Sequence, residues 1–118
     1  MLFLEYPPCS TCQKAKKWLD GKNMTYEDRN IKTANPSYEE LKVWQERSGQ
    51  PLKKFFNTSG MVYKSMNLKE KLPEMTQEQQ LQLLASDGML VKRPLLILDD
   101  TVLIGFKESQ WEQVLCTE

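Results

Sequence analysis

Histidine is absent from this 118-residue chain, and that absence removes much familiar enzyme chemistry. Ser-His-Asp and Cys-His catalysis, His-ligated metals and a histidine pH switch are all excluded. Only three cysteines occur, at positions 9, 12 and 116, too few and too unevenly placed for a secreted disulfide scaffold. Neither charge sign is in excess: sixteen Lys and Arg balance sixteen Asp and Glu. The chain therefore lacks the surplus of positive charge on which nucleic-acid or membrane-surface binding rests. No apolar run approaches the ~20 residues of a membrane span. The opening segment, Met1 to Pro8, has no basic residue and carries a glutamate and two prolines, so no secretory leader is expected. The expected setting is the cytoplasm, with no direct nucleic-acid or membrane partner. Any active site must be built from thiols, carboxylates, Lys, Arg or backbone dipoles.

What is present reads as one domain. Hydrophobic residues make up 40% of the chain and charged residues 27%, enough to bury a core. No repeat, linker or low-complexity block divides residues 1–118. Leu2 to Tyr6 is short and apolar, as a buried strand is, and Pro7-Pro8 ends it. A helix is expected from about Ser10, with Ala15, Trp18 and Leu19 on its inner face and Gly21 to Asn23 closing it. Thr25 to Asp28 reads as a second strand. The middle, about residues 36–88, reads as a helical insertion. It holds two capping-box patterns, Ser37 with Glu40 and Thr76 with Gln79, and glycine stops at Gly49 and Gly88. Asn57 to Gly60 reads as a turn, and Leu68 and Leu72 suggest a brief helix. Leu95 to Leu98, an Asp99-Asp100 turn and Thr101 to Ile104 read as a hairpin. A last helix from about Lys107 is expected to turn Trp111, Val114 and Leu115 inward. The order β-α-β, helical insertion, β-β-α is an α/β plan of the thioredoxin-like kind.

The chemistry concentrates in Cys9-Ser10-Thr11-Cys12, a C-x-x-C between a strand and a helix start. A helix N-terminus carries partial positive charge and unpaired N–H groups, both of which stabilise a thiolate. Thiolate is the nucleophilic form. Cys9, at the helix tip, is the expected attacking thiol. Cys12, one turn in, is the expected resolving thiol. Lys14, Lys16 and Lys17 add positive potential, although a solvated helix face is the plainer reading of that cluster. A zinc half-site lacks its other ligands here. Two inert buried cysteines remain the plainer alternative to a redox pair. Cys116 reads as a small, partly buried residue of the last helix, and Trp18, Trp44 and Trp111 as core anchors.

Arg93-Pro94 stands directly before the apolar strand. Thioredoxin-like folds place a cis-proline there, beside the C-x-x-C, although only ~5% of X–Pro bonds are cis. Arg93 would then hold an anion near Cys9 by charge-assisted hydrogen bonds. The other reading is a solvated arginine before an ordinary trans-proline. Ser10, Thr11, Arg93 and Pro94 are the candidate substrate-binding residues.

The segment Tyr6 to Leu19, the stretch Phe55 to Gly60, the run Lys92-Arg93-Pro94-Leu95 and the stretch Gly105 to Glu108 resemble the arsenate reductase (ArsC)/Spx family in order and spacing. The likeness spans essentially the whole chain and is greatest to small Spx/YffB-like members with a C-x-x-C. It implies a thioredoxin-like fold with a helical insertion, Cys9 as the family's catalytic cysteine and Arg93 as the arginine before its cis-proline. Two further family arginines are missing: Asn57 and Gly105 stand in their places, and Glu5 stands near that of an upstream histidine. Each lost charge-assisted contact is worth ~1.5–3 kcal/mol, which weighs against efficient arsenate reduction. Cys12 stands where such reductases carry a serine, which implies a self-contained dithiol cycle.

The expected function is a thiol–disulfide oxidoreductase acting on a small oxyanion or disulfide. It binds no cofactor, and glutathione or another cellular thiol, or a glutaredoxin or thioredoxin, serves as reductant. The alternative implied by the resemblance is an Spx-like redox-switched regulator that binds the C-terminal domain of the α subunit of RNA polymerase. Gly49 stands where a contact glycine of that regulator would be, but the chain shows no long basic tail after Leu115.

Overall fold

The structure is a computed structural model and describes residues 1–116. Its elements run β1 (Leu2–Glu5), α1 (Ser10–Gly21), β2 (Glu27–Asn30), α2 (Tyr38–Ser48), α3 (Met61–Ser65), α4 (Leu68–Lys71), α5 (Gln77–Ser86), β3 (Leu95–Ile97), β4 (Val102–Ile104) and α6 (Glu108–Leu115), with short 3-10 turns at Leu52–Phe55, Leu72–Glu74 and Gly88–Leu90. The four strands form one sheet in the order β2-β1-β3-β4. β1 pairs parallel with β2, and β3 lies antiparallel to both β1 and β4. This is the mixed α/β, thioredoxin-like fold that the element order predicts.

Side chains on a strand alternate between faces, and here the alternation separates two cores. Phe3, Leu96 and Leu103 face one side, where they pack with Ala15 and Leu19 of α1 and Trp111 of α6. Leu4, Leu95, Ile97 and Val102 face the other, against Leu41, Trp44, Leu81 and Leu84 of α2 and α5 and the smaller elements between β2 and β3. Trp111 is fully buried and centres an aromatic cluster, edge-on to Phe106 at 4.9 Å, Trp18 at 6.1 Å and Phe3 at 6.4 Å. Its indole N–H donates to the Gly105 carbonyl at 3.1 Å.

Both capping boxes form, Ser37 with Glu40 and Thr76 with Gln79. Gly49 closes α2 in the left-handed conformation at φ +66°. Asn23 takes the positive φ after α1, a role its short amide side chain tolerates.

Several local expectations shift. The second strand lies two residues later than Thr25 to Asp28, because Leu2 pairs with Glu27 while Tyr26 packs edge-on against Phe3 at 5.5 Å. Val114 is 41% exposed, since an eight-residue α6 turns Trp111 inward and leaves Val114 outside. Cys116 is exposed. Gly88 does not end a helix: α5 stops at Ser86, and Gly88 is buried against the Ile31 backbone. A helical turn, α3, follows the expected turn at Asn57 to Gly60 and buries Tyr63. Among the described residues no helix is long and apolar enough to cross a membrane.

Candidate active site

The site begins with a turn that sequence dictates. Pro7 and Pro8 occupy the centre of a reversal in which the Cys9 N–H donates to the Tyr6 carbonyl at 2.9 Å. Proline's fixed φ suits such a bend and cannot prolong the strand. The Gln13 amide pins the turn by donating to the Pro7 carbonyl at 2.9 Å. Cys9 therefore arrives as the N-cap of α1 in extended conformation, its carbonyl accepting from Gln13 N–H at 3.0 Å. At an N-cap, side-chain acceptors face the unpaired N–H groups of the first turn. Here the side chain at that position is a thiol.

The two thiols are consequently unlike. Cys9 is half-buried, whereas Cys12 is fully buried. Burial pushes the Cys9 thiol up, but hydrogen bonding from the Cys12 backbone and thiol and from Arg93, with the Arg93 charge, outweighs it and holds Cys9 below its ordinary value. Burial pushes Cys12 up to about 12, with the neighbouring Cys9 adding to the rise. The Tyr6 N–H donates to the Cys12 sulfur at 3.5 Å and offsets only part of it. The two thiols thus differ by environment, and the lowered one is the more readily ionised.

Opposite the thiols lies a pocket of about 410 Å³ whose lining includes Cys9, Thr11, Asn57, Met61, Lys92 and Arg93. Two loops are sewn together to form its far wall. Asn57 N–H donates to the Leu90 carbonyl at 2.7 Å, Lys92 N–H donates to the Phe55 carbonyl at 2.7 Å, and Phe56 bridges Val91. The Arg93–Pro94 bond is cis. The Arg93 guanidinium lies over the Tyr6 ring, 5.2 Å from its centroid. Its Nε and Nη1 are buried and have no hydrogen-bond partner among the described residues. Among the described residues no carboxylate lines the pocket, while Lys92 and Arg93 both do. An anionic or strongly polarised group is what such a surface can hold.

Of the sequence-predicted site residues, Cys9, Thr11 and Arg93 line the pocket together. Cys12 lies buried behind Cys9, Ser10 is exposed on the first turn of α1, and Pro94 is buried; none of these three is among the lining residues. Sequence reasoning did not find Tyr6, Ser59, Gly60, Met61, Val62, Met89 or Lys92 as parts of the site. Lys92 carried a signal in its adjacency to Arg93, and Tyr6, Ser59 and Gly60 lie in stretches that carry the family resemblance; Met61, Val62 and Met89 carried none and reach the site through the fold of the insertion. Gly60 has a local reason: a Cβ there would lie 2.7 Å from the Asn57 amide nitrogen.

On the other sheet face, Glu5 is buried and Lys16 bridges it to Asp28: Lys16 Nζ is 3.6 Å from Glu5 Oε2 and hydrogen-bonded to Asp28. Lys16 is therefore an ion-pair partner rather than a free contributor to the field at Cys9. Burial, then Asp28, pushes Glu5 up to about 7, which Lys16 opposes.

A thioredoxin-like sheet presenting C-x-x-C at a helix cap beside an arginine and a cis-proline defines the class of protein. The ArsC family profile matches residues 4–114, and the chain belongs to the ArsC family. Among its relatives, an uncharacterised Bacillus subtilis protein, YusI, is 54% identical over 113 residues, covering 96% of each chain. The regulatory protein MgsR of Bacillus subtilis is 28% identical over 110 residues, covering 93% of this chain and 86% of MgsR. An ArsC-family-related protein of Bacteroides fragilis, known from its crystal structure, superposes with a TM-score of 0.93 at 58% identity, covering 96% of this chain and 95% of the other.

Proposed function

We propose that this ArsC-family protein is a thiol–disulfide oxidoreductase in which Cys9 attacks and Cys12 resolves. The observation that carries this reading is the asymmetry of the pair: a lowered, half-exposed thiol at the helix cap and a raised, buried thiol one turn behind it. The Cys9 thiolate attacks a sulfur of a disulfide substrate, forming a mixed disulfide and expelling the first thiolate. Cys12 loses its proton and attacks the Cys9 sulfur, expelling the second thiolate and leaving a Cys9–Cys12 disulfide. Two electrons from a cellular thiol such as glutathione, directly or through a glutaredoxin or thioredoxin, reset the pair. Arg93, with the Pro94 backbone, Thr11 and Ser10, positions the substrate.

The pocket favours an organic disulfide over a bare oxyanion. A cavity of about 410 Å³ is in the range of small-molecule sites. Asn57 lines it as a neutral amide, and Gly105, at the other family-arginine position, offers no side chain. Turnover of a glutathione mixed disulfide by wild type, Cys9→Ser and Cys12→Ser, with arsenate in parallel, tests this reading. Wild-type turnover abolished by Cys9→Ser is expected. Equal rates in wild type and Cys9→Ser overturn it, and turnover of arsenate alone transfers the site to oxyanion chemistry.

A second reading follows from the relationship to MgsR, a regulatory protein: the Cys9/Cys12 pair as a redox switch controlling capture of the C-terminal domain of the α subunit of RNA polymerase. Binding by only one redox form of the protein, with no substrate turnover, would favour this second reading.

A further inference from the structure

Met61 is 86% exposed, whereas no other large hydrophobic side chain among the described residues exceeds 47%. Single exposed apolar side chains are ordinary on a protein surface, but Met61 is not single. It lines the Cys9 cavity together with Val62 and Met89. Val62 packs on the larger core, while among the described residues neither Met61 nor Met89 belongs to either core. Both methionines thus face the cavity without a packing role of their own. The backbone puts them there. Gly60 N–H donates to the Asn57 carbonyl at 3.1 Å, and the Gly60 carbonyl accepts from Lys64 N–H at 3.2 Å. α3 therefore starts at the rim of the pocket with Met61 as its first residue. Helical side chains lean toward the helix N-terminus, which carries Met61 over the Asn57 to Gly60 turn. α3 packs against the Gly88–Leu90 turn, and that contact brings Met89 to the same side.

The segment before β3 gives the same cavity a charged side. Lys92 lines it, with its Cε 3.3 Å from where a Cβ on Gly105 would stand at the end of β4. We propose that Met61, Val62 and Met89 form an apolar subsite that selects the substrate, a mixed disulfide with one apolar arm and one anionic arm. The apolar arm lies against the methionines and the anionic arm faces Lys92. This deepens the oxidoreductase reading and rests on it. The Cys9 thiolate bonds to one substrate sulfur, the substrate S–S bond breaks, and the second sulfur leaves as a thiolate. Cys12 then bonds to Cys9 and expels the first sulfur. The proton that Cys12 gives up ends on a departing thiolate, and two electrons pass from the protein to the substrate. Methionine suits the task, because its unbranched thioether chain adapts to arms of different shape. Covering Met61 takes apolar surface out of water only when the arm that covers it is itself apolar. A polar arm of the same length gains none of this, so the contact discriminates between substrates.

The test mixes reduced wild type, Met61→Gln and Met61→Leu with the glutathione mixed disulfides of benzyl mercaptan and of 2-mercaptoethanol, in single turnover. Each rate of Cys9–Cys12 disulfide formation is divided by the rate at which dissolved dithiothreitol reduces the same compound, which removes the intrinsic reactivity of that disulfide. Thermal unfolding verifies that each protein is folded. Wild type is expected to prefer the benzyl compound by about tenfold or more, the scale on which apolar pockets discriminate. Met61→Gln, similar in length but polar, is expected to lose most of that preference, and Met61→Leu to keep it. The preference is a ratio within one protein, so a general loss of reactivity does not move it. Equal normalised rates for the two disulfides in wild type, or the same preference in Met61→Gln as in wild type, overturn the inference and leave the two-thiol reading standing. Failure of folded wild type to form a Cys9–Cys12 disulfide with either compound overturns both.

Discussion

The Tyr6 N–H donates to the Cys12 sulfur at 3.5 Å, so the residue after β1 and the first turn of α1 are tied together at the C-x-x-C itself. The contact holds Cys12 in place without ionising it, because burial dominates and keeps its thiol up at about 12. Cys9, three residues earlier, takes the helix end instead.

This division predicts a measurable order of reactivity. Iodoacetamide should alkylate Cys9 at pH values below the ordinary thiol range and leave Cys12 untouched in the folded protein. Cys12→Ala removes a thiol that donates to Cys9 while keeping the backbone N–H. Alkylation of Cys9 at pH 7 should then slow severalfold, following the lost thiolate fraction. Equal reactivity of the two cysteines would contradict the assignment.

Glu5 makes stability depend on pH in a defined window. Its carboxyl is raised from 4.5 to about 7 in the folded chain, first by burial and then by Asp28. Below the unfolded value both states hold the proton, so Glu5 costs nothing. As pH rises from about 4.5 to 7 the unfolded chain releases the proton first, and stability falls by an amount on the order of 3 kcal/mol at ~1.4 kcal/mol per pH unit. Asp28, whose carboxyl is lowered by its bonds to Glu5 and Lys16 against the opposing effect of burial, acts below this window. Urea unfolding at pH 5 and pH 8 should show the fall in wild type and a much smaller one in Glu5→Gln. An equal slope in both would rule Glu5 out as its source.

Gly88 is fixed by space rather than by φ. A Cβ there would stand 1.8 Å from the Ile31 carbonyl oxygen and 2.8 Å from its carbon, and backbone atoms cannot step aside as a flexible side chain can. Gly88→Ala should cost more than about 3 kcal/mol, above the usual range for overpacking. Gly49→Ala, strained only by φ +66° with open space around the added Cβ among the described residues, should cost about 1–2 kcal/mol. Denaturant midpoints of the two variants separate these cases, and similar small losses would refute the close approach.

How far the sequence led can be argued from these same residues. Both capping boxes and the Gly49 stop were legible because their hydrogen bonds close within four residues. β1, β3 and β4 were legible because buried strands are apolar. β2 was misplaced because Glu27-Asp28-Arg29-Asn30 carries no apolar alternation; its position comes from pairing with β1. Cys9, Cys12 and Arg93 announced themselves by residue type and setting. The far wall of the pocket did not, since Asn57 reaches it through a bond to Leu90, a partner 33 residues away in sequence. The burial of Glu5 was hidden for a related reason: alternation along β1 puts it on the Phe3 face, but only the folded sheet shows that face covered by α1.

The most direct test of the central claim is to trap the first covalent step. Reduced Cys12→Ser protein is mixed with a glutathione disulfide and digested for mass mapping, beside wild type treated identically. The account predicts a glutathione adduct on Cys9 in Cys12→Ser and a Cys9–Cys12 disulfide in wild type. An adduct on Cys116 with Cys9 unmodified, or no adduct on Cys9 at all, would contradict it.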